Sequence, residues 1–248
     1  MLRVVGLDGV PVGSQDGSRQ GKILHVHNLR IPTAGRAEFI VTAPSHDVRQ
    51  AILLVRKVNT GPVGDNDPTR PLAVIDVNSP ADSANLLTIS NNSEPPHRQR
   101  FEGLADAGVT ARRTLYFSEN NPESQFFVTV QGETPKLFSP NNPPAITTHQ
   151  GAVEEWTIEN RTQENHEFHI HQIHFLLMAE NGVPVSRERQ QMLDTVDVPY
   201  WSGSGPYPSV TVRLDFRGRD IGDFVYHCHI LEHEDHGMMA IIRVLPKE

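Results

Sequence analysis

The amino-acid sequence predicts an all-β protein, folded as a Greek-key sandwich of short strands. Apolar and polar side chains alternate along residues 210–216 and again along residues 155–159, which is the period of a half-buried strand. Further short apolar runs cover residues 126–130 and 240–245. We find no long amphipathic helix in the sequence. Many short strands separated by turns are typical of a β-sandwich.

Composition sets the limits on function. The chain has 248 residues, enough for one large or two ordinary domains, and 37% of them are hydrophobic, which suffices for a packed core. Its formal net charge of -8 gives no electrostatic support for nucleic-acid binding. Cys228 is the only cysteine, so no disulfide can form within the chain. No apolar run approaches the roughly 18 residues that a membrane span needs.

The chain is predicted to divide into three parts. Residues 1–80 contain strand-like runs at 2–9, 22–27 and 36–42, and Asp8-Gly9 is a turn signal. Residues 81–110 are polar and irregular and are expected to form a linker. Residues 111–248 are expected to form a complete all-β domain.

Two short runs hold the residues that carry chemistry. The first is His166-Glu-Phe-His169-Ile-His171. The second is His227-Cys228-His229, followed by His233 and Met238. Two histidines and a cysteine thiolate with a distant axial methionine are the ligand set of a blue-copper electron-transfer site.

The spacing predicts two metal sites if His227-Cys228-His229 lies on a β-strand. Successive side chains then point to opposite faces, so Cys228 faces a mononuclear site while His227 and His229 face a second cluster. His169 and His171 share the same two-residue spacing and are expected to face that second cluster. We expect a bend or bulge to turn His166 toward Cys228, and a loop or helical turn to carry His233 and Met238 over the mononuclear site.

Both runs resemble the C-terminal signature of the multicopper oxidases, the laccase-like family. The resemblance extends to residues 222–226 and 194–196, which are similar to the last domain of the family, and to residues 31–41, which are similar to the later part of its second domain. It implies cupredoxin-like sandwiches, one complete and one partial. It also implies a ligand assignment: type 1 copper on His166, Cys228, His233 and axial Met238, type 2 copper on His169, and the type 3 pair on His171, His227 and His229.

The resemblance implies that a reducing substrate gives one electron at a time to the type 1 copper, and that a trinuclear cluster reduces dioxygen to water. Eight histidines hold that cluster in the family, and this chain offers four. An N-terminal cupredoxin segment or subunit with His-x-His-Gly and His-x-His motifs is therefore the expected partner. A one-copper electron-transfer protein and an inactive copper-binding fragment stay open as alternatives. Family members are often exported to the periplasm or the medium, although the first residues here do not have the pattern of a signal peptide.

Other metal sites fit the pattern less well. A structural zinc site commonly uses paired Cys/His motifs, a cupin would use His-x-His with a carboxylate and no thiolate, and copper nitrite reductases do not place a histidine on both sides of the cysteine. Glu234 is either a proton donor for oxygen reduction or an ordinary loop carboxylate. His25 and His27 are expected to be the solvent face of a strand, because Asn28 stands where the family motif has glycine.

Overall fold

The computed structural model describes residues 1–17, 23–41, 47–76 and 101–247. The N-terminal residues form two small antiparallel sheets. Their strands are β1 (Leu2–Leu7), β2 (Val10–Pro11), β3 (Leu24–Val26), β4 (Ala37–Val41), β5 (Gln50–Val55) and β6 (Arg70–Asp76). In the first sheet β1 pairs with β2, β3 and β4, and β5 and β6 form a separate hairpin.

Residues 101–247 form the larger part of the structure, which contains twelve strands and one helix. These are β7 (Ala111–Asn120), β8 (Gln125–Val130), β9 (Ile146–His149), β10 (Val153–Asn160), β11 (His166–Ile170), β12 (Phe175–Glu180), β13 (Val183–Pro184), β14 (Met192–Leu193), β15 (Thr195–Val198), β16 (Ser209–Asp215), β17 (Gly222–Cys228), α1 (Leu231–Asp235) and β18 (Met239–Leu245). Short 3₁₀ turns cover Leu104–Asp106, Asn121–Glu123 and Arg187–Arg189.

The twelve strands form two sheets. One has the order β13-β12-β16-β10-β7-β8, with β14 also paired to β12, and the other has the order β15-β11-β17-β18-β9. The pairs β10–β7 and β18–β9 are parallel and the others are antiparallel. This arrangement confirms the predicted all-β sandwich. The strand predicted at 155–159 lies within β10, and the strand predicted at 210–216 coincides with β16 except for Phe216, which follows its last residue.

The core lies between these two sheets. Trp156 is fully buried, and its ring lies 5.5 Å from that of Tyr226 and 6.4 Å from that of Phe168, both on the opposite sheet. Each such side chain contributes about 1.5–3 kcal/mol by leaving water. Cys228 and Met238 belong to the same buried cluster, so the candidate site is built into one end of the core.

The predicted linker is described only from residue 101. There Phe101 and Leu104 are buried against the C-terminal domain, in a small cluster that also holds Val10 and Met192. Residues 81–100 of that prediction lie outside the described residues. Within the described ranges no helix is long and apolar enough to span a membrane.

Candidate metal centre

Strand β17 separates the two predicted sites. His227 is the register partner of His169 on β11, and Cys228 is the partner of Phe168. Because side chains alternate along each strand, Cys228 and Phe168 point into the core while His227 and His169 point to the other face. The alternation predicted for the His-Cys-His tripeptide is therefore found in the structure.

The prediction of a bend or bulge at His166 was wrong. Strand β11 begins at His166, and its pairing with β15 runs in continuous register from His166 to His169. His166 and His169 are three positions apart, so ordinary alternation already places them on opposite faces. His166 thus faces Cys228 on an unbroken strand.

Three ligand atoms converge at the end of the core. The Nδ1 atoms of His166 and His233 lie 3.0 Å apart, and each lies 3.6 Å from the Sγ atom of Cys228. A point in the plane of this triangle lies about 2 Å from all three atoms, close to ordinary metal–nitrogen and metal–sulfur bond lengths. The donor set, two imidazoles and a thiolate, suits copper.

Hydrogen bonding leaves the Nδ1 atom of His166, which faces Cys228, free to bind a metal. Its Nε2 atom lies 2.9 Å from the hydroxyl of Thr162, which donates its own hydrogen to the side-chain oxygen of Asn160. The hydroxyl therefore accepts from Nε2, and the lone pair of Nδ1 faces the site. The Nε2 atom of His233 lies 3.3 Å from the carboxyl of Glu164, so its Nδ1 atom also faces Cys228.

Burial keeps these imidazoles neutral. It lowers the pKa of His166 well below its ordinary value, and it lowers the pKa of His233 to about 4. The same loss of solvation, with the nearby Glu167 charge, raises the pKa of the Cys228 thiol. At neutral pH the two imidazoles are ready ligands, and the thiol must lose its proton when a metal binds.

A short helix brings His233 to the site. The helix α1 begins three residues after Cys228, and the turn that follows it is closed by a hydrogen bond from the Met238 N–H to the His233 carbonyl, 2.9 Å. The Met238 carbonyl accepts from the Cys228 N–H at 3.1 Å. Phe126 stacks on the His233 ring at a centroid distance of 4.3 Å. The loop or helical turn predicted here is confirmed, and Met238 is fully buried beside it.

Gly237 is required in that turn. Its φ of +111° is strained for other residues, and a Cβ atom would lie 2.6 Å from a methyl carbon of Leu137. The close approach of residue 137 therefore depends on this glycine.

Four histidines cluster on the other face of β17. The ring of His169 lies 5.0 Å from that of His171 and 5.2 Å from those of His227 and His229. The Nε2 atoms of His171 and His227 lie 3.0 Å apart. His171 is exposed and His229 half-buried, so the cluster is open on one side. The structure brings together all four residues predicted for the second cluster.

Two polar contacts of its Nδ1 atom fix the ring of His169. Its Nδ1 atom lies 2.9 Å from the main-chain oxygen of Asp194 and 2.9 Å from the hydroxyl of Thr195. Burial, the largest effect, lowers the pKa of His169 to about 4, and the neighbouring His227 and His171 act in the same direction. The residue is therefore a neutral imidazole at pH 7.

Other predicted residues lie outside the two clusters or at their edge. The carboxylate of Glu234 lies 3.3 Å from Nδ1 of His227, and its role as a proton donor stays a prediction. His25 on β3 and His27, which follows that strand, are both exposed. His174 contacts the N-terminal part, with its Nε2 atom 2.9 Å from the main-chain oxygen of Asp8.

Sequence reasoning missed the residues that orient the ligands. Thr162, Glu164 and Phe126 come from other strands and loops, and nothing in their spacing points to the site. Glu119, Glu164 and His166 also converge. Burial, and then the proximity of Glu119, raises the pKa of Glu164 to about 8.

Two curated proteins are similar in sequence to parts of this chain. A multicopper oxidase of Staphylococcus aureus is 31% identical over 121 residues, which is 47% of this chain and 24% of the relative. A laccase of Bacillus subtilis strain 168 is 22% identical over 256 residues, which is 94% of this chain and 46% of the laccase. The chain thus spans half or less of the length of these curated relatives.

Solved structures show the same fold. A multicopper oxidase from Campylobacter jejuni, described as a metallo-oxidase, superposes with a TM-score of 0.70 at 22% identity, covering 99% of this chain and 49% of that one. McoA, a multicopper oxidase from Aquifex aeolicus, gives a TM-score of 0.64 at 21% identity over 98% of this chain and 49% of its own. These likenesses confirm the cupredoxin-like β-sandwich. The family model for multicopper oxidases matches residues 109–248, more than half of the sequence, and the chain therefore belongs to the multicopper oxidase family.

Proposed function

We propose that this chain is the C-terminal part of a copper-dependent oxidoreductase of the multicopper oxidase type. The convergence of His166 Nδ1, His233 Nδ1 and Cys228 Sγ within 3.6 Å carries the proposal. Bound copper would supply one-electron chemistry there, which the family couples to the reduction of dioxygen to water at a trinuclear cluster. His166, His233 and Cys228 would hold the type 1 copper, with Met238 as a further, weak ligand.

The residues of the chain perform the remaining tasks. Burial of the thiolate at the end of the core excludes water from it, and Thr162 fixes the ring of His166. His227-Cys228-His229 is a continuous covalent connection between the two clusters, and we propose that it carries electrons from one to the other. His233 would be the edge at which a reducing substrate donates its electron.

We propose that the second cluster is completed by another cupredoxin segment. The four imidazoles of His169, His171, His227 and His229 are half of what a trinuclear cluster needs in the family. The exposure of His171 leaves that cluster open on one side. The relatives quoted above are about two to four times as long as the region they share with this chain, which supports a partner region with the missing histidines, in the same protein or in a subunit.

A one-copper electron-transfer protein is the second candidate. The type 1 ligand set is complete within this chain, whereas the second cluster is not, and this difference favours it for the chain alone. A copper-binding fragment without turnover is the third candidate.

Oxygen uptake separates these functions. The copper-loaded chain is assayed with an aromatic amine as reductant, alone and with an N-terminal cupredoxin segment that carries His-x-His-Gly and His-x-His. We expect uptake only with the segment, and Cys228→Ser should abolish it. Reduction of the copper by the amine without oxygen uptake under either condition would support the electron-transfer protein. Failure of the chain to hold copper would contradict all three.

A further inference from the structure

The turn between β1 and β2 in the N-terminal part contacts the C-terminal domain through a buried carboxylate. Asp8, at the first position of the Asp8-Gly9 turn, has φ +49° and is 4% exposed. Its Oδ1 atom accepts the Arg36 main-chain N–H at 2.9 Å, and its Oδ2 atom accepts the Asp194 main-chain N–H at 3.1 Å. One carboxylate thus joins the backbones of both parts.

Arg36 makes a second connection to the same residue. Its guanidinium binds the Asp194 carboxylate with both terminal nitrogens, at 3.0 Å for the Nη1–Oδ1 pair. Two parallel charge-assisted hydrogen bonds fix the direction of a carboxylate more strongly than a single contact does. Asp194 is therefore held by its main-chain nitrogen and by its side chain, in both cases from the N-terminal part.

The held residue is the one that orients His169. The main-chain oxygen of Asp194 only accepts hydrogen bonds, so the His169 Nδ1 atom at 2.9 Å carries the hydrogen. The hydroxyl of Thr195 donates to the Asp194 carboxylate at 3.1 Å and accepts from the same Nδ1 atom. Nε2 of His169 is left with a lone pair on the side of His227 and His229, the histidines with which it forms a possible metal site.

We infer that Asp8 and Arg36 are positioning residues for His169, selecting the tautomer in which Nε2 is free to bind a metal. Neither touches the histidine, and both act through Asp194. The inference rests on the proposed function only in taking His169 as a ligand. It gives the N-terminal part of the chain a role in the second cluster.

The chain offers a matched control. Arg30 also joins the two parts, through an ion pair of 2.7 Å with Asp197, and its side chain is 49% exposed against 51% for Arg36. Arg30→Gln removes an arginine contact between the same two parts without touching Asp194. If Arg36 only held the two parts of the chain together, Arg30→Gln and Arg36→Gln would have the same effect on the His169 tautomer.

The test uses the full chain without metal, labelled with ¹⁵N in its histidines. Two-bond proton–nitrogen correlation spectra report which nitrogen of His169 bears the hydrogen. We expect Nδ1–H in the parent and in Arg30→Gln, and a shift toward Nε2–H in Arg36→Gln and Asp8→Asn. Arg36→Lys should restore part of the Nδ1–H form, because it keeps the charge but not the two-pronged geometry.

Titration with Zn²⁺, followed at the His169 signal, gives a second readout. We expect affinity to fall about 10-fold or more in Arg36→Gln and Asp8→Asn, the range typical of groups that orient a metal-binding histidine, and to stay unchanged in Arg30→Gln. Should Asp8→Asn fail to fold, the arginine series alone decides. An unchanged tautomer in folded Arg36→Gln, or equal effects of Arg30→Gln, would overturn the inference. Zn²⁺ that never reaches His169 in the parent would contradict the proposed ligand role and leave the tautomer result standing.

Discussion

The Nδ1 atoms of His166 and His233 lie 3.0 Å apart across the end of the core, although 67 positions separate the two residues in sequence. Burial keeps both imidazoles neutral, so each ring offers one nitrogen lone pair. Each Nδ1 atom lies 3.6 Å from the Cys228 sulfur. The fold therefore brings three potential metal ligands together before a metal binds.

The first prediction concerns the thiolate. Cys228→Ser should abolish the intense visible absorption of the copper-loaded chain, because charge transfer to copper needs the sulfur. The absorption spectrum checks this, with circular dichroism to establish that the variant is folded. A folded Cys228→Ser protein that keeps the band would exclude Cys228 as the ligand.

Met238 should act as a weak ligand of the copper. Met238→Leu nearly preserves the volume of the buried side chain, so copper should be retained, while loss of a soft donor to the oxidised metal should raise the reduction potential. Redox titration of the blue band measures the change. Loss of copper, or a lowered potential, would give the methionine another role.

Copper affinity should rise with pH. Burial raises the pKa of Cys228, so the thiol holds its proton at neutral pH, whereas His233, with a pKa of about 4, has none to lose above pH 6. Binding then releases one proton, and affinity should increase about tenfold per pH unit between pH 6 and 8. Competition with a chelator of known affinity measures it.

Two variants identify the group whose proton makes copper affinity depend on pH. Cys228→Ser should remove the part of the slope that comes from the thiol. Glu164→Gln should keep that part, because it removes only the carboxyl beside His233, whose pKa of about 8 leaves it protonated over most of the same pH range. A parent slope of zero would show that the thiol is already ionised before copper binds.

Gly237→Ala should destabilise the fold more than Gly132→Ala does. Both glycines have positive φ, +111° and +94°, so both substitutions carry a backbone cost of about 1–3 kcal/mol. Only at Gly237 does the new Cβ meet a neighbour, at Leu137, whereas nothing lies within 4 Å of it at Gly132. Urea unfolding of the metal-free variants measures the difference, and equal losses would show that Leu137 moves aside freely.

Strands with one buried face and one more exposed face could be predicted from the sequence. Strand β16 alternates because Val210, Val212 and Leu214 are buried in the core whereas the residues between them are only partly buried, and such alternation is visible in the sequence without any tertiary knowledge. The two-residue strands β13 and β14 are too short to show a period, and they form only because β12 offers them an edge.

The candidate site also has a part that could be predicted from the sequence and a part that could not. The ligand runs could be found because the histidines and the cysteine are close in sequence and their spacing fixes their faces. The face of His166 could have been read correctly from its spacing of three residues to His169, without a bulge. Thr162, Glu164 and Asp194 could not be assigned their contacts, because tertiary packing alone brings them to the ligands.

The copper content of the isolated chain, measured together with its absorption spectrum, is the sharpest test of the proposed copper sites. We predict about one tightly held copper per chain with an intense blue band. In the proposed assignment the site on Cys228 has all its ligands, whereas the second site has only half of its histidines, namely His169, His171, His227 and His229. Oxygen reduction by the chain alone should be small. About four coppers per chain with full oxygen reduction would contradict the account and show that the missing ligands come from these residues or from a second copy, with His25 and His27 the first to test. A chain that binds no copper at all would contradict the proposed type 1 site.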